Sequence, residues 1–250
     1  MKSAFDARIA RAAELARTSP AACEVLNFYG QLVLFQKRVF EELRSKAETD
    51  VGSLLRYFPA LLDLVRRSAP EPLIHFANQH LRSEAEQKET LHACWEGDPP
   101  ESDEARFFGR VLLQPYAEYL ATRGTVSFES SPPTCPFCNA KPVVAVMRGE
   151  GDGAKRWLLC SVCSTEWPFR RLLCPNCGEE DKEKLPVYTA SQFDHVRVEA
   201  CDRCQTYIKS VDLTRDGHAV PVVDELATLA LNIWAEEHNY TKFEPNLLGL

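Results

Sequence analysis

Ten cysteines stand out in this chain of 250 residues. Eight of them form four Cys-x-x-Cys pairs, in the segments CPFC, CSVC, CPNC and CDRC. Two cysteines separated by two residues can turn both sulfurs toward one point, and two such pairs close a tetrahedral four-sulfur site that suits Zn²⁺ or a single iron ion. The pattern therefore favours metal binding. A disulfide framework would require an oxidising compartment, and isolated pairs would favour dithiol redox chemistry.

The spacing of the pairs repeats. The interval from Cys135 to Cys174 equals that from Cys138 to Cys177, and the second and fourth pairs are related in the same way. Four pairs allow three groupings, and the repeat favours first with second and third with fourth. The predicted metal ligands are therefore Cys135, Cys138, Cys160 and Cys163 in site 1, and Cys174, Cys177, Cys201 and Cys204 in site 2.

Local sequence around the pairs predicts two hairpins of the rubredoxin or zinc-ribbon kind. Asn139 and Gly178 follow the first pair of each repeat, and both residue types tolerate the left-handed backbone that such a turn needs. Strand-like segments precede Cys160 and Cys201. Each unit is too small to bury a self-sufficient core, so we expect bound metal to stabilise its fold.

The first half of the chain predicts helices. Val25, Phe28, Leu32 and further apolar residues recur at helical spacing, and glycine is rare before residue 100. We expect a bundle of about six helices, with a restart at Pro59 and a kink at Pro115. Cys23 and Cys94, outside the four pairs, are interpreted as small buried apolar side chains of these helices.

These patterns predict a multidomain α+β protein. A helical bundle is expected over 1–128, the first metal module over 129–171, the second over 172–215, and a C-terminal helix over 216–250 that packs back on the rest. A Ser/Pro-rich linker at 129–134 marks the first change in composition. Pro221 is expected to open the C-terminal helix, which would end near His238.

Charge and hydropathy restrict the function. The formal net charge is −7, which disfavours a general nucleic-acid or anionic-membrane binder. Apolar runs are too short to cross a bilayer, and no secretory signal is visible at the N-terminus, so we expect a cytoplasmic protein. Motifs for hydrolysis or phosphate binding are not apparent, and the eight cysteines leave no ligand position open for His195.

The order of these segments resembles the formate dehydrogenase accessory protein family, FdhE. The resemblance covers about 135–240 and rests on four segments: CPFCNAKP, LLCSVCSTEWPFRRLLCPNCG, EACDRCQTYIKSVDL and VPVVDELATLAL. Asn139, Glu225 and Asn232 depart from residues common in the family. The departures affect no predicted ligand but weaken any role assigned to the carboxylates of the last helix.

The resemblance implies an assembly factor and not an enzyme. Such a protein is needed to produce active respiratory formate dehydrogenase and engages its catalytic subunit in the cytoplasm. It also implies iron, one ion in each four-cysteine site, with zinc as the alternative occupant. Candidate partner-binding residues are Trp167, Arg170, Arg171 and Tyr207.

Two other functions stay open at this stage. A rubredoxin-like electron carrier, acting on the client enzyme, would require iron because zinc does not change valence at biological potentials. A nucleic-acid-binding zinc ribbon would require a basic surface, which the net charge of −7 disfavours. The oligomeric state cannot be predicted from these patterns.

Overall fold

Helices occupy the first half of the chain, as the apolar periodicity predicts. The computed structural model describes residues 3–96, 100, 102–124, 132–151 and 153–250. Within the described part of the first half there are six α-helices: α1 (Ala4–Thr18), α2 (Cys23–Lys46), α3 (Phe58–Ser68), α4 (Glu71–His80), α5 (Glu84–Trp95) and α6 (Asp103–Ala121). Short 3-10 helices at Pro20–Ala22 and Val51–Tyr57 precede α2 and α3. Together these helices enclose the largest apolar core among the described residues. Cys23 and Cys94 pack against this core but are only partly buried, because they lie at its edge.

The last helix of this layer continues through Pro115, where a kink is predicted. Proline has no N–H, so the carbonyl of Val111 loses its usual partner one turn later. Gln36 on α2 replaces that partner, because its Nε2 donates a 3.0 Å hydrogen bond to the Val111 carbonyl. A side chain from a neighbouring helix thus satisfies the backbone group that the proline frees, and α6 runs from Asp103 to Ala121 as one helix.

The second half contributes a sheet of seven strands among the described residues. They are β1 (Pro142–Glu150), β2 (Gly153–Cys160), β3 (Glu166–Pro168), β4 (Val187–Thr189), β5 (Val196–Cys201), β6 (Thr206–Asp212) and β7 (Thr241–Lys242). The strand order is β3-β2-β1-β6-β5-β4, and β7 pairs with β6. A further 3-10 helix covers Lys182–Lys184.

The two predicted hairpins join in this sheet. Strands β1 and β2 form one antiparallel hairpin and β5 and β6 the other. Strand β1 then pairs in parallel with β6, with Ala145 opposite Ser210 and Met147 opposite Asp212. The predicted linker begins with residues 129–131, which lie outside the described residues, and the module boundaries stay a prediction.

The two faces of the sheet are covered by different elements. Val144, Val146 and Leu159 lie on one face, against Leu231 and Ala235 of the C-terminal region. Ala145 and Leu158 alternate with them and lie on the other face, as the period of two in a strand requires. There they pack with Ala117 of α6 and with the cysteines of the first site, so this site lies against the helical layer.

The predicted C-terminal helix consists of two helices, α7 (Pro221–Ala227) and α8 (Leu229–Glu237). The chain bends at Thr228, where the Lys209 amino group lies close to the carbonyl of Glu225 and 3.4 Å from that of Thr228. Helix α7 packs into the apolar core of the bundle through Val223 and Leu226, so the chain folds back on its helical half. No helix among the described residues is long and apolar enough to cross a membrane.

Candidate metal centres

The first cluster of sulfurs lies at one end of the first hairpin. Cys135 and Cys138 precede β1, Cys160 is the last residue of β2, and Cys163 lies in the turn before β3. The Sγ atoms of Cys138 and Cys160 are 3.3 Å apart, and those of Cys135 and Cys163 are 3.5 Å apart. All four Sγ atoms lie within 4.8 Å of one another.

A second cluster repeats this arrangement on the second hairpin. The Sγ atoms of Cys174 and Cys204 are 3.7 Å apart, and those of Cys177 and Cys201 are 3.6 Å apart. These four sulfurs also lie within 4.8 Å of one another. The predicted grouping of the pairs, first with second and third with fourth, is therefore confirmed.

The residue after the second cysteine of each pair has a left-handed backbone. The φ angles are 61° at Asn139, 56° at Ser164, 72° at Gly178 and 53° at Gln205. The sequence predicts this conformation at Asn139 and Gly178 and misses it at Ser164 and Gln205. The position directly after a Cys-x-x-Cys pair is the sequence signal that predicts a left-handed backbone at all four residues. The chain must reverse there to bring both sulfurs to one side.

Backbone amides support the sulfurs of the first cluster. The amides of Phe137 and Val162 donate hydrogen bonds of 3.4 Å to the Sγ atoms of Cys135 and Cys160. Amide donors of this kind stabilise a thiolate by offsetting its charge. The turns therefore favour the deprotonated sulfur that a metal ion needs as a ligand.

A threonine hydroxyl contacts the last cysteine of each cluster. The Oγ1 of Thr165 lies 3.1 Å from the Sγ of Cys163, and the Oγ1 of Thr206 lies 3.0 Å from the Sγ of Cys204. Burial raises the pKa of Cys204, but the hydrogen bond from Thr206 and the neighbouring polar groups outweigh it and lower that pKa to about 6. Sequence reasoning misses both threonines, although each lies two residues after the last cysteine of its repeat.

The donor set fits a tetrahedral metal ion in both clusters. Metal–sulfur bonds of 2.3 Å place the sulfurs of a tetrahedral site about 3.8 Å apart. The separations in the second cluster match this value, and those in the first are slightly shorter.

All eight cysteines are free thiols and not disulfides. Without a cation, hydrogen bonding to Cys135 and Cys138 raises the pKa of Cys160, whereas a bound cation favours thiolates.

The predicted partner-binding residues are divided between core and surface. Trp167 and Tyr207 are 0% and 1% exposed, so direct contact with a partner is incompatible with this conformation. Trp167 instead donates a 2.9 Å hydrogen bond from Nε1 to the carbonyl of Pro132, which ties the first cysteine segment to β3. Arg170 and Arg171 are exposed. Arg170 forms a bidentate ion pair with Glu180, at 2.7 and 2.9 Å.

His195 does not join the sulfurs. Its Nε2 lies 2.8 Å from the Oδ1 of Asp224, near Asp216. Both carboxylates also bind the guanidinium of Arg11, at 2.5 Å for Asp224 and 2.9 Å for Asp216. Because Arg11 already compensates these charges, the group is an ion-pair network between α1 and α7.

Comparison with known proteins points to one family. The sequence profile described as "FdhE, central domain" matches residues 134–171, and the one described as "FdhE, C-terminal domain" matches residues 172–248. The first profile covers the first cysteine cluster and the second profile covers the other.

Relatives extend the similarity to the helical half. The chain is 30% identical to a "Protein FdhE homolog" of Aquifex aeolicus over 258 aligned positions, which cover 92% of this chain and 90% of the relative. It is 34% identical to a "Protein FdhE homolog" of Pseudomonas aeruginosa over 152 positions, which cover 57% of this chain and 48% of that relative. The crystal structure of the FdhE protein from Pseudomonas aeruginosa superposes with a TM-score of 0.77 at 24% identity, over 99% of this chain and 96% of that one, and shows the same fold. The chain belongs to the FdhE family.

Proposed function

We propose that this chain is an accessory factor needed to produce active respiratory formate dehydrogenase. In this proposal it binds the catalytic subunit of that enzyme in the cytoplasm, through a surface organised by two four-cysteine metal sites, and is not itself an enzyme. The observation that carries the proposal is the pair of converging four-sulfur clusters held on one sheet in a chain of the FdhE family.

The closed geometry of the clusters supports a binding role. Each cluster supplies four protein sulfurs to one point, so a tetrahedral ion held there has no position left for water or substrate. Catalytic zinc sites keep such a position open. Metal held in these clusters would fix the two hairpins and the surface around them, since units of this size bury too little apolar area to fold alone.

Iron is the proposed metal, with one ion in each cluster, and zinc is the alternative. A tetrathiolate site accepts both metals. Iron would supply one-electron chemistry, whereas zinc would supply only structural support. Elemental analysis of protein purified without oxygen distinguishes them, and we expect two equivalents of metal per chain. Colourless protein with two equivalents of zinc would overturn the iron assignment and leave the binding role in place.

Co-purification tests the proposed client. The tagged full chain is produced together with the catalytic subunit of a formate dehydrogenase, captured and washed. We expect the subunit to be retained by the wild-type chain and lost with Cys138→Ser or Cys177→Ser. Cys23→Ser, at a cysteine of α2 outside both clusters, is the matched control. Retention by both cluster variants, together with full maturation of the enzyme, would contradict the proposal.

A rubredoxin-like electron carrier is the second candidate. The contacts that favour it surround the sulfurs. Backbone amides donate to sulfurs of the first cluster, and the hydroxyls of Thr165 and Thr206 lie 3.1 and 3.0 Å from the last sulfur of each cluster. Hydrogen bonds to sulfur set the reduction potential of an iron–thiolate site. Reversible reduction of the iron-loaded chain by formate dehydrogenase that is supplied with formate as the electron source would favour this function. Iron that is not reduced by that enzyme would exclude it.

A further inference from the structure

A cavity of about 280 Å³ lies beside the second cysteine cluster. Its walls come from the β5–β6 hairpin, from segment 171–175 and from segment 185–187. Two of the predicted metal ligands, Cys174 and Cys201, line it. The shape of the cavity therefore depends on the same turns that hold the second cluster.

Three arginines place positive charge in the wall of this cavity. Arg156 and Arg197 share one carboxylate, that of Glu199, at 2.8 and 3.2 Å. Arg171 also lines the cavity, and within the described part of the chain no carboxylate pairs with it. Three guanidinium groups and one carboxylate thus line the cavity, beside the sulfurs of Cys174 and Cys201. Arg171 is the one cation of this set without an acidic partner among the described residues. Arg156 is only 3% exposed, so its part of the positive wall is built into the fold, whereas Arg171 is exposed and accessible to a partner.

Exposed apolar side chains line the same cavity. Leu172 and Val187 are 52% and 53% exposed, which places them among the most exposed large apolar residues of the described chain. Both line the cavity. Val187 also begins β4, which is the last strand of the sheet on this side. An edge strand offers backbone groups to which an extended peptide can add.

We propose that this cavity binds an extended segment of the client polypeptide in which a carboxylate side chain lies next to an apolar one. The carboxylate would pair with Arg171 and Arg197, and the apolar side chain would pack on Leu172 and Val187. Arginine suits this role because its planar guanidinium binds a carboxylate through two hydrogen bonds. The client itself is the one named under the proposed function, on which this inference rests.

The chemistry of the cavity favours such a peptide over a nucleic acid. A phosphate backbone needs several unpaired cations along a track, and here Glu199 already neutralises part of the positive charge. The apolar residues at the cavity match a side chain and offer little to a ribose-phosphate chain. The combination of charge and apolar surface is typical of short peptide-recognition grooves.

Photo-crosslinking tests the location. A benzophenone amino acid replaces Leu172 in the tagged full chain, which is illuminated with the purified catalytic subunit of formate dehydrogenase. Ile233 on α8, which is 58% exposed, is the control position. We expect crosslinks from position 172 to a segment of the subunit that carries Asp or Glu beside an apolar residue, and none from position 233.

Arg171→Gln tests the charge. We expect it to weaken binding of the subunit about ten-fold, as the loss of a hydrogen bond to a charged group does. Arg67→Gln is the matched control, since Arg67 is an exposed arginine of α3 that does not line the cavity. The difference between the two variants should shrink at high salt, because screening weakens the charge pair.

The outcomes of these experiments distinguish failure of the proposed cavity from failure of the proposed accessory function. If the subunit co-purifies but position 172 gives no crosslink, or if Arg171→Gln binds as tightly as Arg67→Gln, the cavity is not the binding site and the accessory function stands. If the subunit binds neither the wild-type chain nor any variant, the proposed accessory function is contradicted. The proposal that the cavity binds this subunit is then contradicted as well.

Discussion

Ser164 donates a 2.8 Å hydrogen bond to Glu118 and thereby joins the first cysteine cluster to the helical layer. Ser164 directly follows the ligand candidate Cys163, and Glu118 lies on α6. Arg8 of α1 completes the contact, with Nη1 2.7 Å from the same carboxylate oxygen and Nη2 2.9 Å from the serine hydroxyl. The turn that positions a sulfur is therefore fixed by two helices from the first half of the chain.

Glu118→Gln should destabilise the protein. Arg8 and Glu118 are both buried, so removal of the carboxylate leaves a guanidinium charge without compensation. Loss of one partner of a buried ion pair costs about 3 kcal/mol. Urea unfolding of the metal-loaded chain measures this difference.

Asp63→Asn is the control for Glu118→Gln. Asp63 pairs with Arg66 on the surface of α3, at 3.2 Å, and both side chains are largely exposed. An exposed pair of this kind contributes less than about 1 kcal/mol. Equal effects of the two variants on the free energy of unfolding would show that the Arg8–Glu118 contact does not hold the two halves together.

Glu225 should make stability depend on pH in the acid range. Burial raises the pKa of this carboxyl, but the ammonium groups of Lys209 and Lys242 outweigh burial and lower its pKa to about 2, from 4.5. The ionised carboxylate therefore stabilises the folded state above about pH 4.5, and this contribution is lost as the pH falls toward 2.

The free energy of unfolding of Glu225→Gln should be lower than that of the wild type at pH 7. Between pH 4.5 and 2 it should fall by less than the free energy of unfolding of the wild type. Loss of metal in acid affects both proteins. The difference between their curves of unfolding free energy against pH therefore gives the contribution of the Glu225 carboxyl. Glu237→Gln, at an exposed carboxylate of α8, should follow the wild-type curve. Parallel curves for the wild type and Glu225→Gln would contradict the role of this carboxylate.

The sequence predicts most of the candidate site because cysteine spacing is a local signal. A pair with two intervening residues fixes where both sulfurs point. The spacing of the pairs in 135–163 recurs in 174–204, and this repeat indicates which pairs share a cluster. The helices of the first half could also be predicted, because apolar periodicity is a local signal too.

The contacts that unite the halves could not be predicted, since they join residues far apart in the chain. Nothing around Lys209 in the sequence indicates that its ammonium group lies buried 2.9 Å from Glu225 or that it divides the last helix at Thr228. The parallel pairing of β1 with β6 is equally non-local. Trp167 and Tyr207, predicted as partner-binding residues, are buried because they pack in the apolar clusters on the two faces of the sheet.

Cys177→Ser should remove one metal ion and leave the other. The two clusters use separate sulfurs, so we expect metal content to fall from two equivalents per chain to one. Residues 172–215 should then become sensitive to limited proteolysis, since the second hairpin loses the ion that stabilises it. Cys23→Ser is the control and should keep both ions. Unchanged metal content in Cys177→Ser would contradict the assignment of this ligand.

Thr206→Val should weaken metal retention at the second cluster. The valine keeps the branched shape that suits a strand but removes the hydroxyl that lies 3.0 Å from the Sγ of Cys204. Partners of this kind typically affect metal affinity by about 10-fold or more. In the chain loaded with zinc, we therefore expect faster transfer of one of the two ions to a chromogenic chelator. Thr189→Val, on β4 away from the sulfurs, controls for the change of residue type. Equal rates for both variants would show that the hydroxyl contributes only to packing, because loss of a hydrogen bond to a ligand sulfur must raise the free energy of the metal-bound state.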